Sequence, residues 1–313
     1  MYSRDDRSSY IKFCKKNFGK NSYQSSSDFI DWLLKYNNNR FFIMLNDDTV
    51  VGCIHLFKGF FIYGEKIIES GVVHDLMVDK NFRHSGGGLR LIQHGIKSND
   101  FTILSGSVGK LSQAYKRMCP IQIKSYWYKK IIFPRSIFLK RKISNLDKYR
   151  KMADDSGFKI LCNDEGHDFI KTHSFEKYNL NEQTKNFFYW RFLEKGAPKT
   201  FIISDFKNNN SVMFVFAKKG LIPYVRIFDV HKEQDTVILD ILKLIEKIAA
   251  STGITVVLYT VLNYNLVKHL GYKKYDPMPS SYIYLKNRKK IDQGIISMPG
   301  YCSDLGFDSK SLN

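Results

Sequence analysis

The sequence repeats one order of strand-like and helix-like segments in two halves, each of roughly 150 residues. In the first half, the apolar run "KIIESGVVHDLMV" is followed by a glycine-rich turn and then by apolar residues at helical spacing. In the second half, "IPYVRIFDV" leads into "TVILDILKLIEKIAAS", a strongly periodic helix pattern that closes at Gly253. A repeat of this length indicates a duplicated domain rather than a solenoid.

Apolar periodicity and turn residues predict the elements of the first half. A helix is expected over Ser27 to Tyr36, where serine precedes apolar residues at helical spacing. "RFFIML" and "VVGCIHLF", joined by "NDD", are typical of a hairpin. The helix after the glycine-rich turn is expected from about Gly86 to Lys97. Beyond it, "TILSGSV" favours a strand, "KLSQAYKRM" a helix, and "IQIKSYWYKKIIF" one or two strands.

The second half follows the same plan after a polar connection. "EQTKNFFYWRFLEK" predicts a helix, "TFIISDF" and "SVMFVFA" a hairpin, "ITVVLYTV" a strand, "NYNLVKHLG" a short helix, and "YKKYD" with "SYIYLK" the closing strands. The basic segment before it lacks clean periodicity and is interpreted as a linker. The predicted organisation is therefore a first domain over 1–140, a linker over 141–165, a second domain over 166–290 and a tail over 291–313.

Charge and cysteine content limit the partners and the compartment. The 313 residues carry a formal net charge of +19, which favours an anionic partner: nucleic acid, a membrane surface or a small phosphorylated ligand. The five cysteines are odd in number and lack a CxxC pair, so neither a disulfide framework nor a zinc site is predicted. No signal-peptide pattern and no apolar stretch of transmembrane length is found, and we expect a cytoplasmic protein that does not span a membrane.

The stretch "VDKNFRHSGGGLRLIQ", residues 78–93, places three glycines between the strand and helix patterns of the first half. A glycine-rich turn at a helix amino terminus exposes backbone N–H groups at the positive end of the helix dipole, which suits a phosphate or pyrophosphate. Arg83 adds a guanidinium that phosphate can accept through two hydrogen bonds. The stretch is neither a Walker loop nor a dinucleotide fingerprint, because it lacks GK[ST] and a GxGxxG after a first strand. An anion site and a tight turn without a ligand both fit these residues.

With its surroundings, the stretch resembles the acyl-coenzyme A site of the GNAT superfamily of N-acyltransferases. "HDLMVDKNFRHSGGG" matches that family's apolar strand followed by R-x-x-G-x-G, with Arg83, Gly86 and Gly88 in register. "TILSGSV" and "SQAYKRMCP" resemble the family's later strand and helix, although Cys119 stands where glycine is usual. The resemblance implies an α/β fold with a mixed sheet, of the α+β type. It also implies acyl-CoA as co-substrate and no metal.

The resemblance extends to the second half. "TGITVVLYTVLNYNLVKHLGYKK" is similar to the last strand, helix and strand of a GNAT domain, with Gly271 and Tyr272 in the expected places. The phosphate loop is missing there, because "HKEQDTV" has neither the arginine-glycine spacing nor any glycine. The resemblance therefore implies two tandem GNAT-like domains, the second degenerate, with coenzyme A bound by the first alone.

The family's functional positions map onto the first half. The resemblance implies that backbone N–H groups near the end of the strand bind the thioester carbonyl and pantetheine, and that the loop binds the pyrophosphate. The residues expected to bind the thioester carbonyl and pantetheine are Leu76, Met77 and Val78. Those expected to bind the pyrophosphate are Arg83, His84, Ser85, Gly86, Gly87 and Gly88.

Three residues are candidates for the chemistry. His74 occupies the strand position where many relatives carry a glutamate base, and an imidazole can accept the ammonium proton near neutral pH; a half-buried structural histidine is the competing interpretation. Asp75 is the second candidate and is expected on the opposite face of the strand, as a structural partner. Tyr115 matches the family's tyrosine that donates to the coenzyme A sulfur; a packed helix tyrosine is its alternative.

The acceptor hypothesis rests on a narrower resemblance. Double GNAT chains with a "WR" pair, here Trp190 and Arg191, are similar to bacterial enzymes of surface-polysaccharide biosynthesis that N-acylate nucleotide-linked amino sugars such as dTDP-3-amino-3,6-dideoxyhexoses. The indole can stack on such a ligand and the guanidinium can pair with its diphosphate; a core tryptophan beside a surface arginine is the alternative. Asp229 is expected either to meet the sugar or to cap the next helix. The acyl group is acetyl or a short hydroxyacyl such as 3-hydroxybutyryl.

Two hypotheses of other classes stay open. The net charge and aromatic-basic stretches such as "SYWYKKIIFPRSIFLKRK" are compatible with a nucleic-acid-binding protein, whose affinity falls steeply with salt. An aminoacyl-tRNA-dependent transferase also uses paired GNAT-like domains, but it has less need of a coenzyme A phosphate loop. We favour the nucleotide sugar, with no nucleic-acid partner.

Overall fold

The computed structural model describes residues 1–20, 22–36, 39–63, 66–104, 110–123, 126–132, 146–162, 165–166, 169, 186, 200–205, 210–219, 222–231, 234–254, 256–259, 267–277, 281–286 and 296–297. Contacts divide the chain into two compact units. The first consists mainly of Met1–Ser125 and Pro279–Met298, and the second mainly of Tyr126–Met278.

The first unit contains a mixed sheet with helices packed on it. Its strands are β1 (Arg40–Asn46), β2 (Thr49–Tyr63), β3 (Lys66–Val78), β4 (Phe101–Leu104), β5 (Ile121–Ile123), β13 (Ser281–Leu285) and β14 (Ile296–Ser297). Its helices are α1 (Arg7–Asn17), α2 (Ser27–Lys35), α3 (Gly87–Ile96) and α4 (Lys110–Met118), with 3₁₀ turns at Tyr23–Ser25 and Lys80–Ser85. The strand order is β1-β2-β3-β4-β13-β5, with β14 on β2; β3 and β4 are parallel and the other pairs antiparallel.

The second unit repeats this arrangement. Its strands are β6 (Tyr126–Ile131), β7 (Lys159–Cys162), β8 (Thr200–Ser204), β9 (Ser211–Lys219), β10 (Ile222–His231), β11 (Val256–Tyr259) and β12 (Lys273–Pro277). Its helices in the described ranges include α5 (Leu146–Asp154) and α6 (Asp235–Ser251). The strand order is β12-β6-β11-β10-β9-β8-β7, and β10 pairs with β11 in parallel, as β3 does with β4.

The two sheets exchange an equivalent strand. In the first sheet, β13 lies between β4 and β5, and in the second sheet β6 lies between β11 and β12. The chain accordingly changes unit after Ser125 and again after Met278, whereas the sequence placed the domain ends at residues 140 and 290. The difference arises because the pattern of a strand shows that it pairs, but not which sheet it joins.

Apolar helix faces cover each sheet. In the first unit, Leu91, Ile92 and Ile96 of α3 are buried in one cluster with Ile54 and Val73. In the second unit, the apolar stripe of α6 packs in a larger cluster with β8, β9 and β10. No helix among the described residues is long and apolar enough to cross a membrane.

Most described elements agree with the sequence predictions, but α1, α5, β7 and β14 were not predicted. The sequence did not predict α1, because the buried residues Tyr10, Phe13 and Cys14 are separated by charged and polar residues. The segment assigned to a linker contains α5 and β7; β7 is an edge strand that continues the second sheet. The helix predicted from "EQTKNFFYWRFLEK" lies outside the described residues apart from residue 186, and the first part of the one predicted from "NYNLVKHLG" is also outside them.

Candidate functional site

A bulge near the end of β3 creates the site. The register between β2 and β3 shifts between Cys53 and His55, and Asp75 has a φ of 50°, in the left-handed region that a residue with a side chain rarely adopts. This conformation costs about 1–3 kcal/mol and persists where surrounding contacts hold it. It also breaks the alternation of side chains along the strand. The expectation that Asp75 faces away from His74 is therefore wrong: their side chains are in contact.

The carboxylate of Asp75 is surrounded by donors. Its Oδ1 accepts hydrogen bonds from the Tyr23 hydroxyl at 2.8 Å and from Gln24 Nε2 at 2.9 Å. Its Oδ2 lies 2.8 Å from Nδ1 of His74 and 3.4 Å from Nδ1 of His55. Both carboxylate oxygens thus have polar neighbours, which is the condition for keeping a charge in a buried position.

His74 and His55 lie side by side on paired strands, and both are buried, with 2% and 0% of their surface exposed. The ring of His74 stacks on Phe57 at a centroid distance of 4.5 Å. Nε2 of His55 lies 3.0 Å from the Tyr10 hydroxyl of α1. We refer to Tyr10, Tyr23, Gln24, His55, His74 and Asp75 as the histidine cluster.

Sequence reasoning identified His74 and Asp75 but missed four members of the histidine cluster. His55 carried the one available signal: it is a titratable residue inside the apolar run "VVGCIHLF" of β2. Tyr10 lies on α1, which was not predicted, and Tyr23 and Gln24 lie on a 3₁₀ turn. Their approach to Asp75 depends on tertiary packing across about 50 residues of chain, which no local pattern encodes.

Charge and burial set the proton affinities in this region. Burial alone raises the pKa of the Asp75 carboxyl, but the adjacent His74 and His55 outweigh that effect and hold the pKa well below its usual value. Burial raises the pKa of the nearby Cys14 thiol to about 12, and it raises the pKa of the Tyr10 hydroxyl well above its usual value. Asp75 is therefore the fixed negative charge of the histidine cluster, whereas Tyr10 and Cys14 stay neutral near pH 7.

The same geometry determines what could hold a metal ion. One ligand atom from each of His55, His74 and Asp75 can be chosen so that all three lie within 4.8 Å of one another. Two imidazoles and a carboxylate form a donor set that suits zinc and similar ions. The sequence predicted no metal, and elemental analysis of the purified protein tests that prediction against this donor set.

The glycine loop, residues 83–88, connects β3 to α3. Asp79 starts the connection: its Oδ1 accepts a hydrogen bond from the Asn81 N–H, and its Oδ2 pairs with Lys16 Nζ at 2.6 Å. Arg83 folds back, with its Nε donating to the Val78 carbonyl at 3.0 Å, and its side chain remains exposed. Its Nη2 also donates to Met77 Sδ at 3.9 Å, so two nitrogens anchor Arg83 to the end of β3.

Gly86 sets the geometry of the amino terminus of α3. Its φ of 73° is left-handed, and the first helical hydrogen bond runs from the Arg90 N–H to the Gly86 carbonyl at 3.0 Å. The N–H groups of Gly87, Gly88 and Leu89 come before that bond, and among the described residues no side chain caps the helix. A Cβ at Gly87 would lie 2.7 Å from Met44 Cε, whereas at Gly88 it would meet only Val78 Cγ2, at 3.6 Å. Gly87 is therefore buried against Met44, whereas Gly86 and Gly88 have little side-chain cover.

The predicted residues Leu76, Met77 and Val78 form the last part of β3. β3 pairs with β4 at Gly71–Val73 and then runs five residues further, to Val78. In the described part of the chain, no strand pairs with residues 74–78 on the β4 side. In the described residues the β3–β4 ladder ends at Val73, next to the histidine cluster; residues 105–109, which follow β4, lie outside the described part of the chain.

The other predicted residues have different surroundings. Tyr115 of α4 is 1% exposed and belongs to the core cluster that contains Val78 and Leu91; its ring is 6.0 Å from that of Tyr282, edge to face. His84 and Ser85 are exposed on the glycine loop. Asp229 lies in β10, after the register shift between β9 and β10, but its side chain is outside the described residues, as are Trp190 and Arg191.

Replacing Asp75 with asparagine should lower the free energy of unfolding by about 3 kcal/mol at pH 7, because two buried imidazoles lose their negative partner. The native pKa of Asp75 is depressed, so its contribution is present above the unfolded-chain pKa of about 3.9 and is lost as pH falls further. Urea titrations of both proteins between pH 3 and pH 7 check this. The difference in unfolding free energy between the two proteins should become smaller below about pH 4. A difference that does not change with pH would contradict a negative charge on Asp75.

Comparison with known proteins identifies a family for part of the chain. Residues 7–98 match the acetyltransferase (GNAT) family. This range runs from α1 to just beyond α3 and includes the histidine cluster and the glycine loop. A comparison with curated proteins gave no match.

Solved structures share the fold over most of the chain. A GCN5-related N-acetyltransferase from Anabaena variabilis superposes with a TM-score of 0.57 at 12% identity, covering 90% of this chain and 70% of that one. A probable N-acyltransferase from Enterococcus faecalis gives 0.59 at 9% identity, covering 91% and 71%. N-myristoyltransferase from Saccharomyces cerevisiae, solved with myristoyl-CoA and inhibitors, gives 0.58 at 11% identity, covering 97% and 84%. At these identities the similarity establishes the fold alone.

The predicted fold class is confirmed: the chain has two mixed sheets with helices and shares its fold with GCN5-related N-acetyltransferases. The predicted enzyme class, an acyl-CoA-dependent N-acyltransferase, is confirmed through the GNAT match of residues 7–98.

Proposed function

We propose that the protein transfers an acyl group from acyl-CoA, bound at the glycine loop, to the amine of a nucleotide-linked amino sugar of the dTDP-3-amino-3,6-dideoxyhexose type. The acyl group is acetyl or a short hydroxyacyl such as 3-hydroxybutyryl. The reaction would take place in the cytoplasm and serve surface-polysaccharide synthesis.

The observation that carries the donor assignment is the uncapped amino terminus of α3. The N–H groups of Gly87 and Gly88 precede the first helical hydrogen bond, and the left-handed Gly86 turns the chain so that they lead the helix. The helix dipole and these donors favour a pyrophosphate. The exposed side chains of Arg83 and His84 border the same turn and add charge or hydrogen-bond donors.

The second unit lacks the glycines and the arginine of this turn, which supports donor binding in the first unit alone, although among the described residues no side chain caps its equivalent helix either. Its equivalent helix, α6, begins with Asp235 in the first turn, whose negative charge disfavours an anion. The N–H of the preceding residue, Gln234, already donates to Asn210 Oδ1 at 2.9 Å. No glycine occurs between β10 and α6.

The last part of β3 supports a position for the thioester. Backbone groups of Leu76, Met77 and Val78 on the β4 side lie beyond the β3–β4 ladder. An N–H group there would stabilise the oxyanion that develops on the thioester carbonyl. The pantetheine arm would then run along β3 toward the glycine loop.

The proposed chemistry is direct transfer. His74 removes a proton from the substrate ammonium, and the neutral amine attacks the thioester carbonyl to form the tetrahedral intermediate. The C–S bond then breaks, and Tyr115 supplies a proton to the departing thiolate. The second proton on the attacking nitrogen reprotonates Tyr115, which leaves a neutral amide, and the imidazolium releases the first proton to solvent. Nδ1 of His74 faces Asp75, so Nε2 is the nitrogen assigned to the amine.

The acceptor assignment rests on the sequence resemblance at Trp190 and Arg191 and on the net charge of +19, which suits a diphosphate. A matrix of donors and acceptors tests it. Thiol release would be followed with acetyl-, 3-hydroxybutyryl- and myristoyl-CoA; the last is included because it is the ligand of the yeast enzyme that shares the fold. Acceptors would be dTDP-amino sugars, the matching hydroxy sugars, and amino-terminal peptides.

We expect release with a short acyl-CoA only when an amino-sugar nucleotide is present, and the N-acylated product by mass spectrometry. Release driven by peptides and not by amino sugars overturns the acceptor assignment. An absence of release with every donor, together with salt-sensitive binding to nucleic acid, overturns the proposed function itself.

A further inference from the structure

Asp79 is a buried carboxylate at the point where the chain leaves β3 for the glycine loop. Only 4% of its surface is exposed, and it directly precedes the 3₁₀ turn Lys80–Ser85 that runs into the loop. Its Oδ1 accepts a hydrogen bond from the Asn81 N–H at 3.1 Å, and its Oδ2 pairs with Lys16 Nζ at 2.6 Å. The proposed reaction assigns no role to this carboxylate.

We infer that Asp79 is a positioning residue for coenzyme A. It ties the start of the glycine loop to α1, through Lys16, and thereby holds the backbone N–H groups of residues 86–88 where the pyrophosphate needs them. This inference rests on the donor site of the proposed function, but it does not depend on the acceptor or on the catalytic base.

The first argument is that Asp79 fixes the direction of the chain through both its backbone and its side chain. Its N–H donates to the Val51 carbonyl at 2.8 Å, which joins the end of β3 to β2. Its carbonyl accepts from the Phe82 N–H at 2.9 Å, and its side chain accepts from the Asn81 N–H. A side chain that accepts from the N–H two residues further on replaces a backbone acceptor and defines the turn that follows.

The second argument is that apolar burial does little to hold this turn. None of the six residues of Lys80–Ser85 is buried, and Phe82 is only partly buried against the core of the first unit. The side chain of Arg83 bonds back to the end of β3, through Nε and the Val78 carbonyl at 3.0 Å. Polar contacts therefore set the position of the turn, and those of Asp79 act where it begins.

The third argument is the link to α1. Lys16 lies in the last turn of that helix with 59% of its side chain exposed, and it reaches a carboxylate that is only 5% exposed. Lys16 and then the Asn81 N–H hold the pKa of the Asp79 carboxyl below its usual value, so the carboxylate stays charged near pH 7. The contact is therefore a charge-assisted bond between two elements that lie far apart in the sequence.

The carboxylate acts on coenzyme A in two opposing ways, and the sign of the effect separates them. As a negative charge it repels the pyrophosphate, so its removal would tighten binding. As an anchor it orders the loop in advance, so its removal would weaken binding, because the loop would have to become ordered when the ligand binds. Lys16 neutralises the charge, and we expect the anchoring effect to be the larger.

The test measures the Kd for coenzyme A by isothermal titration calorimetry. Asp79→Ala should raise the Kd about tenfold. Asp79→Asn keeps an oxygen that can accept from the Asn81 N–H, so its Kd should be only about threefold above that of wild type. Lys16→Met should also raise the Kd about threefold. The control is Lys15→Met, which removes the same charge from the neighbouring exposed position of α1 and should stay within about 1.5-fold of wild type.

An unchanged or lower Kd in Asp79→Ala overturns the inference, and so do equal effects of Lys16→Met and Lys15→Met. Where Asp79→Ala fails to fold, Lys16→Met decides, since the exposed side chain of Lys16 can be changed without disturbing the core. Circular dichroism and thermal unfolding show which variants are folded at the temperature of the binding measurement.

Hydrogen exchange of the free protein gives a readout that does not need a ligand. Amides of residues 80–88 should exchange faster in Asp79→Ala than in wild type, while those of α6 stay unchanged. Faster exchange throughout the chain would show a role in overall stability instead and overturns the inference.

The binding data separate a failure of this inference from a failure of the proposed function. Wild-type protein that binds no coenzyme A overturns the proposed donor site, and this inference with it. Binding by wild type, with the same Kd in Asp79→Ala, overturns this inference alone and leaves the donor site intact.

Discussion

Replacing His74 with glutamine should lower kcat by about 10³-fold while leaving the Kd for coenzyme A within about twofold of wild type. The expected loss is that of a general base, because the amide cannot take the ammonium proton that must leave before or during attack. Coenzyme A should be unaffected because its proposed contacts lie on the glycine loop and on backbone groups of Leu76, Met77 and Val78. Steady-state kinetics and isothermal titration calorimetry measure the two quantities separately.

His94→Gln is the matched control for His74→Gln. It makes the same chemical change on an exposed histidine of α3, outside the histidine cluster. A second check is pH: the residual activity of His74→Gln should lose the acid limb that wild type shows. Near-normal turnover would return His74 to the structural interpretation, in which it is a buried strand histidine that stacks on Phe57 and pairs with Asp75.

Replacing Gly88 with aspartate should raise the Kd for coenzyme A about 30- to 100-fold, because a carboxylate at the amino terminus of α3 repels the pyrophosphate at short range. The fold should tolerate the change. A Cβ at this position meets only Val78 Cγ2, at the ordinary distance of 3.6 Å, and an acidic residue in the first turn stabilises a helix by about 0.3–1 kcal/mol. Weaker coenzyme A binding by Gly88→Asp, without a loss of fold stability, would show that the loop is a ligand site rather than a purely structural turn.

Gly88→Asn is the control for size, since asparagine matches aspartate in shape and lacks its charge. We expect Gly88→Asn to raise the Kd for coenzyme A only a few-fold. The difference in Kd between the two variants should become smaller in high salt. Equal effects of both variants would show that shape rather than charge is disturbed. No effect of either variant would contradict binding of the pyrophosphate at the glycine loop.

The elements that position the donor could be predicted from the sequence because their signals are local. A strand that ends at Val78, glycines at 86–88 and an apolar stripe on α3 occupy one continuous stretch, and glycine is the residue that a left-handed turn favours. The helix boundaries agree within one residue: Gly86 to Lys97 was expected, and the structure has Gly87–Ile96.

The elements that create the histidine cluster could not be predicted, because they depend on distant parts of the chain. Strand alternation placed Asp75 opposite His74, but the bulge at Asp75 overrides that rule, and the donors that hold it there come from the 3₁₀ turn Tyr23–Ser25. His55 becomes meaningful only when β2 is paired with β3 in its shifted register. The strand exchange is another such feature, since β6 and β13 pair with strands far away in sequence.

The bulge links the two parts of the proposed active site. By turning Asp75 into the left-handed region, it brings the carboxylate to His74 and His55, directly after the part of β3 that pairs with β4. One local distortion thus positions the base beside the residues assigned to the thioester. The second unit also has a register shift, between Ile227 and Asp229, but no phosphate loop follows it. Retention of the bulge without the loop agrees with the interpretation of the second half as a degenerate copy.

A crystal structure of the protein with coenzyme A tests the central claim, donor binding by the first unit alone, most directly. We expect one coenzyme per chain, with its pyrophosphate within hydrogen-bond distance of the N–H groups of residues 86–88 and its thiol end beside Leu76, Met77 and Val78. Coenzyme A at the amino terminus of α6, or anywhere that leaves the glycine loop without a ligand, would contradict it.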